Sequence, residues 1–327
     1  MKQVKVVVTG ATGQVAYALL PRIAAGEMFG PDTEIDLRLS DIPQMIDKAK
    51  GLLMELEDGA FPLLSRLSVG SDRSETHHRA DWVLLVGSVP RGPGMERGDL
   101  IRKNGPIFVE EGKAIQQFAS SGVRVVVIGN PCNTNCLIAR ANAHTIPSHA
   151  WTAMTRLDQN RARWLLAAKA GARVTEVRKL AIWGNHSATL YPDFTNAEVQ
   201  GKRAEQAVDR RWLETEFVPQ VQQRGAAVIA ARGASSAFSA ANALIDHLRS
   251  LMTPTPKDDF FSAAVVSDGS YGVPKGLVSS FPLRSRGDGS FEIVSGIQLD
   301  DFAKGKIAAT VAELEKERDV VKDLIQG

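Results

Sequence analysis

The sequence predicts an α/β protein in which a doubly wound parallel sheet is followed by a second domain of α+β structure. Two observations predict this class. Short runs of β-branched and other apolar residues, such as 4–9 and 123–128, have the continuous apolar character of strands buried on both faces of a parallel sheet. Helical patterns alternate with these runs, as βαβ units require. A chain of 327 residues is long enough for two such domains.

The composition is that of an ordinary globular protein, with 44% apolar and 23% charged residues. The formal net charge of +2 gives no sign of a dedicated nucleic-acid-binding protein. The first residues run into a strand without the apolar core of a signal peptide, and no apolar run is long enough to cross a bilayer. We therefore expect a cytoplasmic protein with no nucleic-acid or membrane partner. Cys132 and Cys136 are expected to be reduced thiols, and no metal is expected.

The first strand leads into a glycine turn that is typical of dinucleotide binding. Gly10 opens the spacing Gly-x-x-Gly-x-x-Ala and permits the tight turn. Gly13 lets the backbone approach a pyrophosphate at the helix N-terminus, where Gln14 and Val15 form the first turn, and the small Ala16 lets helix and strand pack closely. A tight turn that binds nothing is the alternative. The flanking strand and helix favour a Rossmann fold with a dinucleotide cofactor.

The second predicted strand, residues 35–40, ends at an acidic residue that we expect to select the cofactor. Asp41 lies at the carboxyl end of this strand, where it could accept hydrogen bonds from the adenosine ribose hydroxyls and would repel a 2′-phosphate. Asp36 is a rival by distance from the glycine turn, but it lies within the strand. Asp41 therefore predicts NAD rather than NADP. The alternative is that Asp41 only caps the following helix.

Two later segments are predicted to reach the same edge of the sheet. A buried strand leads into Gly87 and then into a loop rich in glycine and proline, which carries Arg91 and Arg97. Such loops often close over a site, although a solvated basic loop has the same composition. Asn130 follows another strand of β-branched residues and thus lies where a doubly wound sheet places its ligands.

The pattern changes near residues 150–155. We take this as the boundary between a nucleotide-binding domain, residues 1–154, and a catalytic domain that binds substrate, residues 155–327. Asp158 precedes a helix of Ala and Leu that is predicted to begin at Arg161. The alternative is that Asp158 only caps the N-terminus of this helix and forms an i,i+3 ion pair with Arg161.

His186 is the strongest candidate for a base among the six histidines. It follows the predicted strand 177–183 behind Gly184, whereas His77, for example, falls in a polar loop. Histidine exchanges protons near physiological pH, and a carboxylate such as Asp158 can fix its tautomer. An arginine fork can hold a substrate carboxylate. Together these groups suit a hydride-transfer enzyme that acts on an alcohol.

Five segments, in order, resemble malate dehydrogenases of the cytosolic-type branch of the lactate/malate dehydrogenase family. They are residues 10–13 with 41, 90–97, 129–135, 156–161 and 182–186. The resemblance runs from residue 10 to about residue 241, and the rest of the chain fits the family's closing strands and final helix. It implies an NAD-dependent malate dehydrogenase of the tricarboxylic acid cycle, which interconverts malate and oxaloacetate as a homodimer.

The resemblance also implies a role for each residue of the second domain's site. His186 accepts the proton in malate oxidation and donates it in oxaloacetate reduction, with Asp158 as its partner. Arg161 binds the C1 carboxylate of the substrate. Oxaloacetate is then expected to bind best when His186 is protonated, and malate when it is neutral.

The remaining roles fall on the first domain. By resemblance Arg97 polarises the carbonyl oxygen, Asn130 contacts substrate and nicotinamide, and Asp41 holds the adenosine ribose. Arg91 binds the distal carboxylate when the loop closes. Related lactate enzymes have a neutral residue there, and a buried arginine that faced a methyl group would be an uncompensated charge. Arg91 therefore predicts a four-carbon dicarboxylate, and a dehydrogenase of another 2-hydroxy acid is the alternative.

Two other classes share part of the pattern. Short-chain dehydrogenases and nucleotide-sugar epimerases also have a glycine turn, but they need a Tyr-x-x-x-Lys pair on one helix face. Tyr271 and Lys275 match that string, but they fall late in the chain, and Pro274 between them disfavours a helix. A non-catalytic NAD-binding sensor would need the glycine turn but would have no use for His186 beside three arginines.

Overall fold

The computed structural model describes residues 1–90 and 95–326. The predicted substrate residue Arg91 lies outside the described residues. The strands are β1 Lys2–Thr9, β2 Thr33–Ser40, β3 Leu64–Gly70, β4 Trp82–Leu85, β5 Arg124–Val127, β6 Trp151–Ala153, β7 Val177–Arg178, β8 Ala181–Trp183, β9 Tyr191–Asp193, β10 Glu198–Val199, β11 Lys202–Arg203, β12 Phe261–Val266, β13 Val278–Ser285 and β14 Phe291–Ile293.

The α-helices are α1 Gln14–Ala24, α2 Ile46–Asp58, α3 Arg73–Thr76, α4 Arg97–Phe118, α5 Cys132–Ala141, α6 Arg156–Ala170, α7 Ala204–Ala207, α8 Arg210–Trp212, α9 Val218–Arg232, α10 Phe238–Met252 and α11 Asp301–Val320. A short π-helix, Leu213–Phe217, joins α8 to α9. No helix in the described ranges combines the length and apolar character needed to span a membrane.

The chain forms two compact units. The first unit contains Met1–Ala153, Ala237–Arg249 and Glu317–Gly327, and the second contains Met154–Ser236 and Ser250–Lys316.

The first unit is built on parallel strands in the order β3-β2-β1-β4-β5-β6. This is the order of a doubly wound dinucleotide-binding sheet, so the predicted fold class is confirmed. Val6, Val7 and Val8 are consecutive in β1 and all fully buried, which shows that both faces of this strand are covered. The strand order reverses between β1 and β4, and the carboxyl ends of these two strands are where such a sheet binds its ligand.

The second unit is α+β, with small antiparallel sheets. Strands β12, β13 and β14 form one antiparallel set, β8 pairs with β9, and β10 pairs with both β7 and β11. An isolated bridge joins Gly184, just after β8, to Ser280 of β13. This bridge fixes where the chain leaves β8 and enters the segment that carries His186.

Three predictions made from the sequence need correction. The single strand predicted for residues 177–183 is divided into β7 and β8, because Lys179 adopts a left-handed conformation with φ 52° that interrupts the extended chain. The helix predicted to start at Arg161 begins five residues earlier, at Arg156, which places Asp158 inside its first turn rather than at its N-cap. His77 does not lie in a polar loop but is fully buried at the end of α3.

Candidate active site

His186 and Asp158 meet within the second unit. His186 follows Gly184, which adopts the left-handed conformation at φ 88°, and Asp158 lies in the first turn of α6. His186 Nδ1 is 2.5 Å from Asp158 Oδ2. The Asp158 side chain is 1% exposed, whereas that of His186 is 19% exposed. A carboxylate on Nδ1 holds the proton on that nitrogen and assigns proton exchange with a substrate to Nε2.

Arg161 lies one helical turn after Asp158 and approaches the same carboxylate. Its Nη1 is 3.5 Å from Asp158 Oδ1, and its Nη2 donates to Ser236 Oγ at 3.0 Å. Burial lowers the pKa of Arg161, while the Asp158 charge opposes that shift and nearby Arg224 adds to it. The guanidinium stays charged, because an arginine pKa lies far above neutral pH. The second unit thus brings together an imidazole, a buried carboxylate on its Nδ1 and a guanidinium beside the same carboxylate.

In the first unit the glycine turn has the tight geometry that the spacing predicts. Gly10 has φ 60°, and a side chain there would collide with the Cα of Gly87, which follows β4. Gly13 donates its N–H to Gly10 O at 3.0 Å, and Gly87 donates to Thr9 Oγ1 at 3.2 Å. The backbones at Gly10 and Gly87 therefore lie so close together that only glycine fits at these positions.

The turn fits a dinucleotide pyrophosphate. Helix α1 begins at Gln14, with no side chain capping its N-terminus and no acidic residue in its first turn. Its first N–H groups and the positive end of its dipole therefore favour an anion. Gly13 and Gln14 are exposed, Val15 is half-buried and Ala16 is fully buried. A cofactor phosphate can reach these amides while the small Ala16 packs inward.

Asp41 braces the glycine turn. Its Oδ2 accepts from Thr12 N at 2.9 Å and from Thr12 Oγ1 at 2.8 Å, and its Oδ1 accepts from the N–H of Ile42. The rival Asp36 is buried and forms a 2.9 Å ion pair with Arg38, which leaves no exposed carboxylate for a ribose. Sequence reasoning missed the bracing contacts of Asp41. Its role toward the ribose stays a prediction.

Arg97 is the first residue of α4 and is held by a carboxylate that the sequence did not indicate. Its Nε donates to Glu317 Oε1 at 2.5 Å, and Thr134 of α5 donates its hydroxyl to the other oxygen of Glu317. The Glu317 side chain is 7% exposed. The Nη2 atom of Arg97 is buried and has no hydrogen-bond partner among the described residues. Glu317 thus fixes the Nε edge of the guanidinium and leaves Nη2 as a buried donor.

Asn130 is exposed after β5, and a buried amide positions its backbone. Asn104 of α4 donates from Nδ2 to the carbonyl oxygens of Asn130, at 3.3 Å, and Val89, at 3.2 Å. Its Oδ1 accepts from the N–H of Val89 at 2.8 Å. Asn104 therefore joins the chain that follows Gly87 to the turn that carries Asn130. No pattern in the sequence marked Asn104.

Several remaining candidates are also placed. Tyr271 lies in a short turn with φ 55° and donates its hydroxyl to Val294 O, so it does not share a helix face with Lys275. Cys132 and Cys136 are both buried, and neither forms a disulfide with a described residue. Residues 1–90 and 95–326 contain no group of three or more His, Cys, Asp or Glu side chains arranged to hold a metal ion.

Comparison with known proteins agrees with this geometry. The chain is 53% identical to the malate dehydrogenase of Magnetococcus marinus over 325 residues, which is 99% of each chain. A crystal structure of malate dehydrogenase from Naegleria fowleri is 41% identical, with a TM-score of 0.95 over 99% of each chain. A lactate dehydrogenase from Trichomonas vaginalis, solved in complex with NADH and oxamate, is 33% identical, with a TM-score of 0.94 over 98% of this chain and 99% of that one.

Two family models together span almost the whole chain. The NAD binding domain of lactate/malate dehydrogenase matches residues 4–151. The alpha/beta C-terminal domain of lactate/malate dehydrogenase matches residues 155–325. The chain therefore belongs to the lactate/malate dehydrogenase family.

Proposed function

We propose that this protein is an NAD-dependent malate dehydrogenase, which interconverts (S)-malate and oxaloacetate. The observation that carries the proposal is the buried carboxylate of Asp158, 2.5 Å from His186 Nδ1 and 3.5 Å from Arg161 Nη1. A carboxylate so placed orients a proton-exchanging imidazole beside an anion-binding guanidinium. The 53% identity to a malate dehydrogenase over the full length supports the choice of substrate.

The residues of the second unit would handle the proton and one carboxylate. In malate oxidation His186 Nε2 accepts the proton of the C2 hydroxyl, and Asp158 stabilises the resulting imidazolium through Nδ1. Arg161 binds the C1 carboxylate with its fork, which fixes C2 relative to His186. NAD⁺ would supply the hydride acceptor for C2. In the reverse direction a protonated His186 donates to the carbonyl oxygen of oxaloacetate.

The residues of the first unit would bind the cofactor and complete the substrate contacts. Arg97 would stabilise the negative charge that develops on the substrate oxygen, and its buried Nη2 supports this role. Arg91 would pair with the distal carboxylate, and Asn130 would contact substrate and nicotinamide. Asp41 would hold the ribose. The glycines at 10, 13 and 87, with Gln14 and Val15, would line the pyrophosphate.

A second candidate is an NAD-dependent dehydrogenase of another 2-hydroxy acid. The observation that favours it is the TM-score of 0.94 to a lactate dehydrogenase that is 33% identical. A neutral substrate end would leave Arg91 without an anion, so the two candidates differ in which keto acid they reduce.

One assay separates these candidates. Purified protein is offered oxaloacetate and pyruvate in parallel, each with NADH and again with NADPH. We expect rapid turnover only with oxaloacetate and NADH. Preference for pyruvate would overturn the role of Arg91, and preference for NADPH would overturn that of Asp41. Silence with all four combinations, together with retained NADH binding, would favour the cofactor sensor.

We also propose a cytoplasmic homodimer that serves the tricarboxylic acid cycle. The family resemblance supports the homodimer, and large apolar side chains exposed on the described surface, such as Tyr17, Met54 and Trp164, could contribute to its interface. Light scattering on the eluting protein is expected to give about twice the 35.3 kDa chain mass, in accord with the prevalence of two-fold symmetry. A mass of one chain would contradict the proposal.

A further inference from the structure

Several side chains of the segment 184–189, which carries His186, donate hydrogen bonds to one carboxylate of helix α11. Oε2 of Glu313 accepts from Asn185 Nδ2 at 2.9 Å and from Thr189 Oγ1 at 2.7 Å. Ser187 donates its hydroxyl to the same oxygen. The residues on both sides of His186 are therefore bound to a single atom of the second unit.

Thr310, one turn earlier on α11, fastens the start of the same segment. Its Oγ1 accepts from the backbone N–H of Asn185 at 2.9 Å and bonds Thr189 Oγ1 at 2.9 Å. A side chain at Gly184 would collide with Thr310, so the helix lies directly against the backbone just before His186. The bridge between Gly184 and Ser280 holds the same point from β13.

A carboxylate suits this position better than a neutral acceptor. Three donors that converge on one oxygen form strong hydrogen bonds when that oxygen carries negative charge, whereas the neutral oxygen of an amide would accept the same donors more weakly. The Asp158 carboxylate belongs to α6, whereas His186 belongs to this segment. The 2.5 Å contact between them therefore joins two separate elements and requires that the segment keep its position relative to α6.

We propose that Glu313 is a positioning residue for the acid–base step. It acts through Asn185, Ser187 and Thr189 to keep His186 Nδ1 on Asp158, and it need not touch substrate. This inference rests on the proposed function, because it assigns to Glu313 a share of the turnover that His186 provides.

The main test is Glu313→Gln, which keeps the size of the side chain and removes its charge. We expect kcat for oxaloacetate reduction to fall by about 10- to 100-fold, the scale of loss when a reacting group is displaced by about 1 Å. Binding of NADH is expected to stay unchanged, because the glycine turn belongs to the first unit. Glu292→Gln, on the exposed face of β14, is the matched control and is expected to leave kcat unchanged.

A second, milder variant guards against loss of folding. Ser187→Ala removes one donor and leaves the carboxylate with its other two, so we expect a smaller kcat loss of about threefold. Full kcat in both variants, with only a lower unfolding temperature, would show that the cluster is purely structural and would overturn the proposal.

Coupling to Asp158 distinguishes positioning from general destabilisation. In an Asp158→Asn background, Glu313→Gln is expected to lower kcat much less than in the wild type, because the contact it protects is already lost. Equal effects in both backgrounds would contradict the proposal.

A readout that needs no turnover separates failure of this inference from failure of the proposed function. The downfield proton NMR signal of His186 Nδ1–H, assigned by its loss in His186→Phe, is expected to broaden or shift upfield in Glu313→Gln. An unchanged signal would overturn the positioning role. Inactive wild-type protein with the expected signal change would overturn only the malate dehydrogenase assignment.

Discussion

The two units each contain a histidine paired with a buried carboxylate, and the pairs differ in what surrounds the ring. In the second unit His186 Nδ1 lies 2.5 Å from Asp158, and the ring is 19% exposed. In the first unit His77 Nε2 lies 3.1 Å from Glu111 Oε2, and the ring is fully buried. The other nitrogen of His77 bonds Thr76 Oγ1 at 3.0 Å. Both nitrogens of His77 are therefore occupied by the protein itself.

The comparison shows that a histidine–carboxylate pair becomes a candidate for catalysis only when part of the ring is accessible. Glu111 also accepts from Arg73 Nε at 2.8 Å, so the first pair belongs to a network that joins α3 to α4. Such a network stabilises packing and offers no route for a proton to a ligand. His186 also contacts a buried carboxylate, but its ring is partly exposed. It follows the turn at Gly184, and Arg161 lies beside the same carboxylate.

The largest effect is expected from breaking the His186–Asp158 pair, the proposed functional pair, at its carboxylate. Asp158→Asn removes the charge that orients His186 and favours the wrong ring tautomer, so kcat is expected to fall by about 10⁴-fold, as in other histidine–aspartate sites. Steady-state kinetics measures the loss, and fluorescence titration should show unchanged NADH affinity.

Asp258→Asn is the matched control, because Asp258 is an exposed aspartate in the same unit. It is expected to retain full kcat. If Asp158→Asn lowered kcat by less than about tenfold, the pair in the second unit would be structural, like the pair in the first.

The fold could be predicted from the sequence because its signals are local. The valine-rich runs and the glycine turn each indicate their element without reference to the rest of the chain. The strand at 177–183 was predicted as continuous because φ at Lys179 is imposed by its surroundings, since lysine has no intrinsic preference for the left-handed region.

The site was predictable only in part, because burial and pairing over long separations leave no local pattern. His186, Asp158 and Arg161, which the structure brings together, could be predicted as candidates because each lies next to the end of a predicted strand or the start of a predicted helix. Glu317 is 220 residues from Arg97, and Glu111 is 34 from His77. Glu317 and Glu111 each lie on a helix with many other charged residues. Nothing in the sequence therefore indicates their contacts with Arg97 and His77.

A smaller effect, on stability rather than on turnover, is expected at the histidine of the first pair. Matched substitutions of the two histidines compare stability and turnover for both pairs. His77→Phe removes one buried hydrogen bond from Glu111 and one from Thr76, so it should lower the free energy of unfolding by about 1–3 kcal/mol and leave the kcat of folded protein unchanged. His186→Phe should abolish turnover at a lower cost in stability, because its ring is partly exposed.

Urea unfolding and active-site-normalised kinetics measure the two quantities. If His77→Phe lost kcat while keeping its stability, the division of the two pairs into structural and functional would be wrong.

The smallest effect concerns the dependence of stability on pH. Burial raises the pKa of Glu111, but the hydrogen bond and charge of His77, together with Arg73, outweigh burial and hold this pKa below its ordinary value. A carboxyl group whose pKa is lower in the folded than in the unfolded state stabilises the fold above the unfolded value of about 4.3. That contribution is lost as pH falls through the lower, folded-state pKa.

The urea midpoint of Glu111→Gln should therefore lie below that of the wild type at pH 7, and the two should converge as pH falls below about 4.3. Glu110→Gln, at the exposed neighbouring position on α4, is the control, and it should change the midpoint little at any pH because exposed ion pairs contribute about 0–1 kcal/mol. A gap for Glu111→Gln that stayed constant down to pH 3 would mean that the carboxylate of the structural pair gains nothing from its charge. The His77–Glu111 pair would then be held by packing rather than by charge. Charge, like exposure of the ring, would in that case distinguish it from the His186–Asp158 pair.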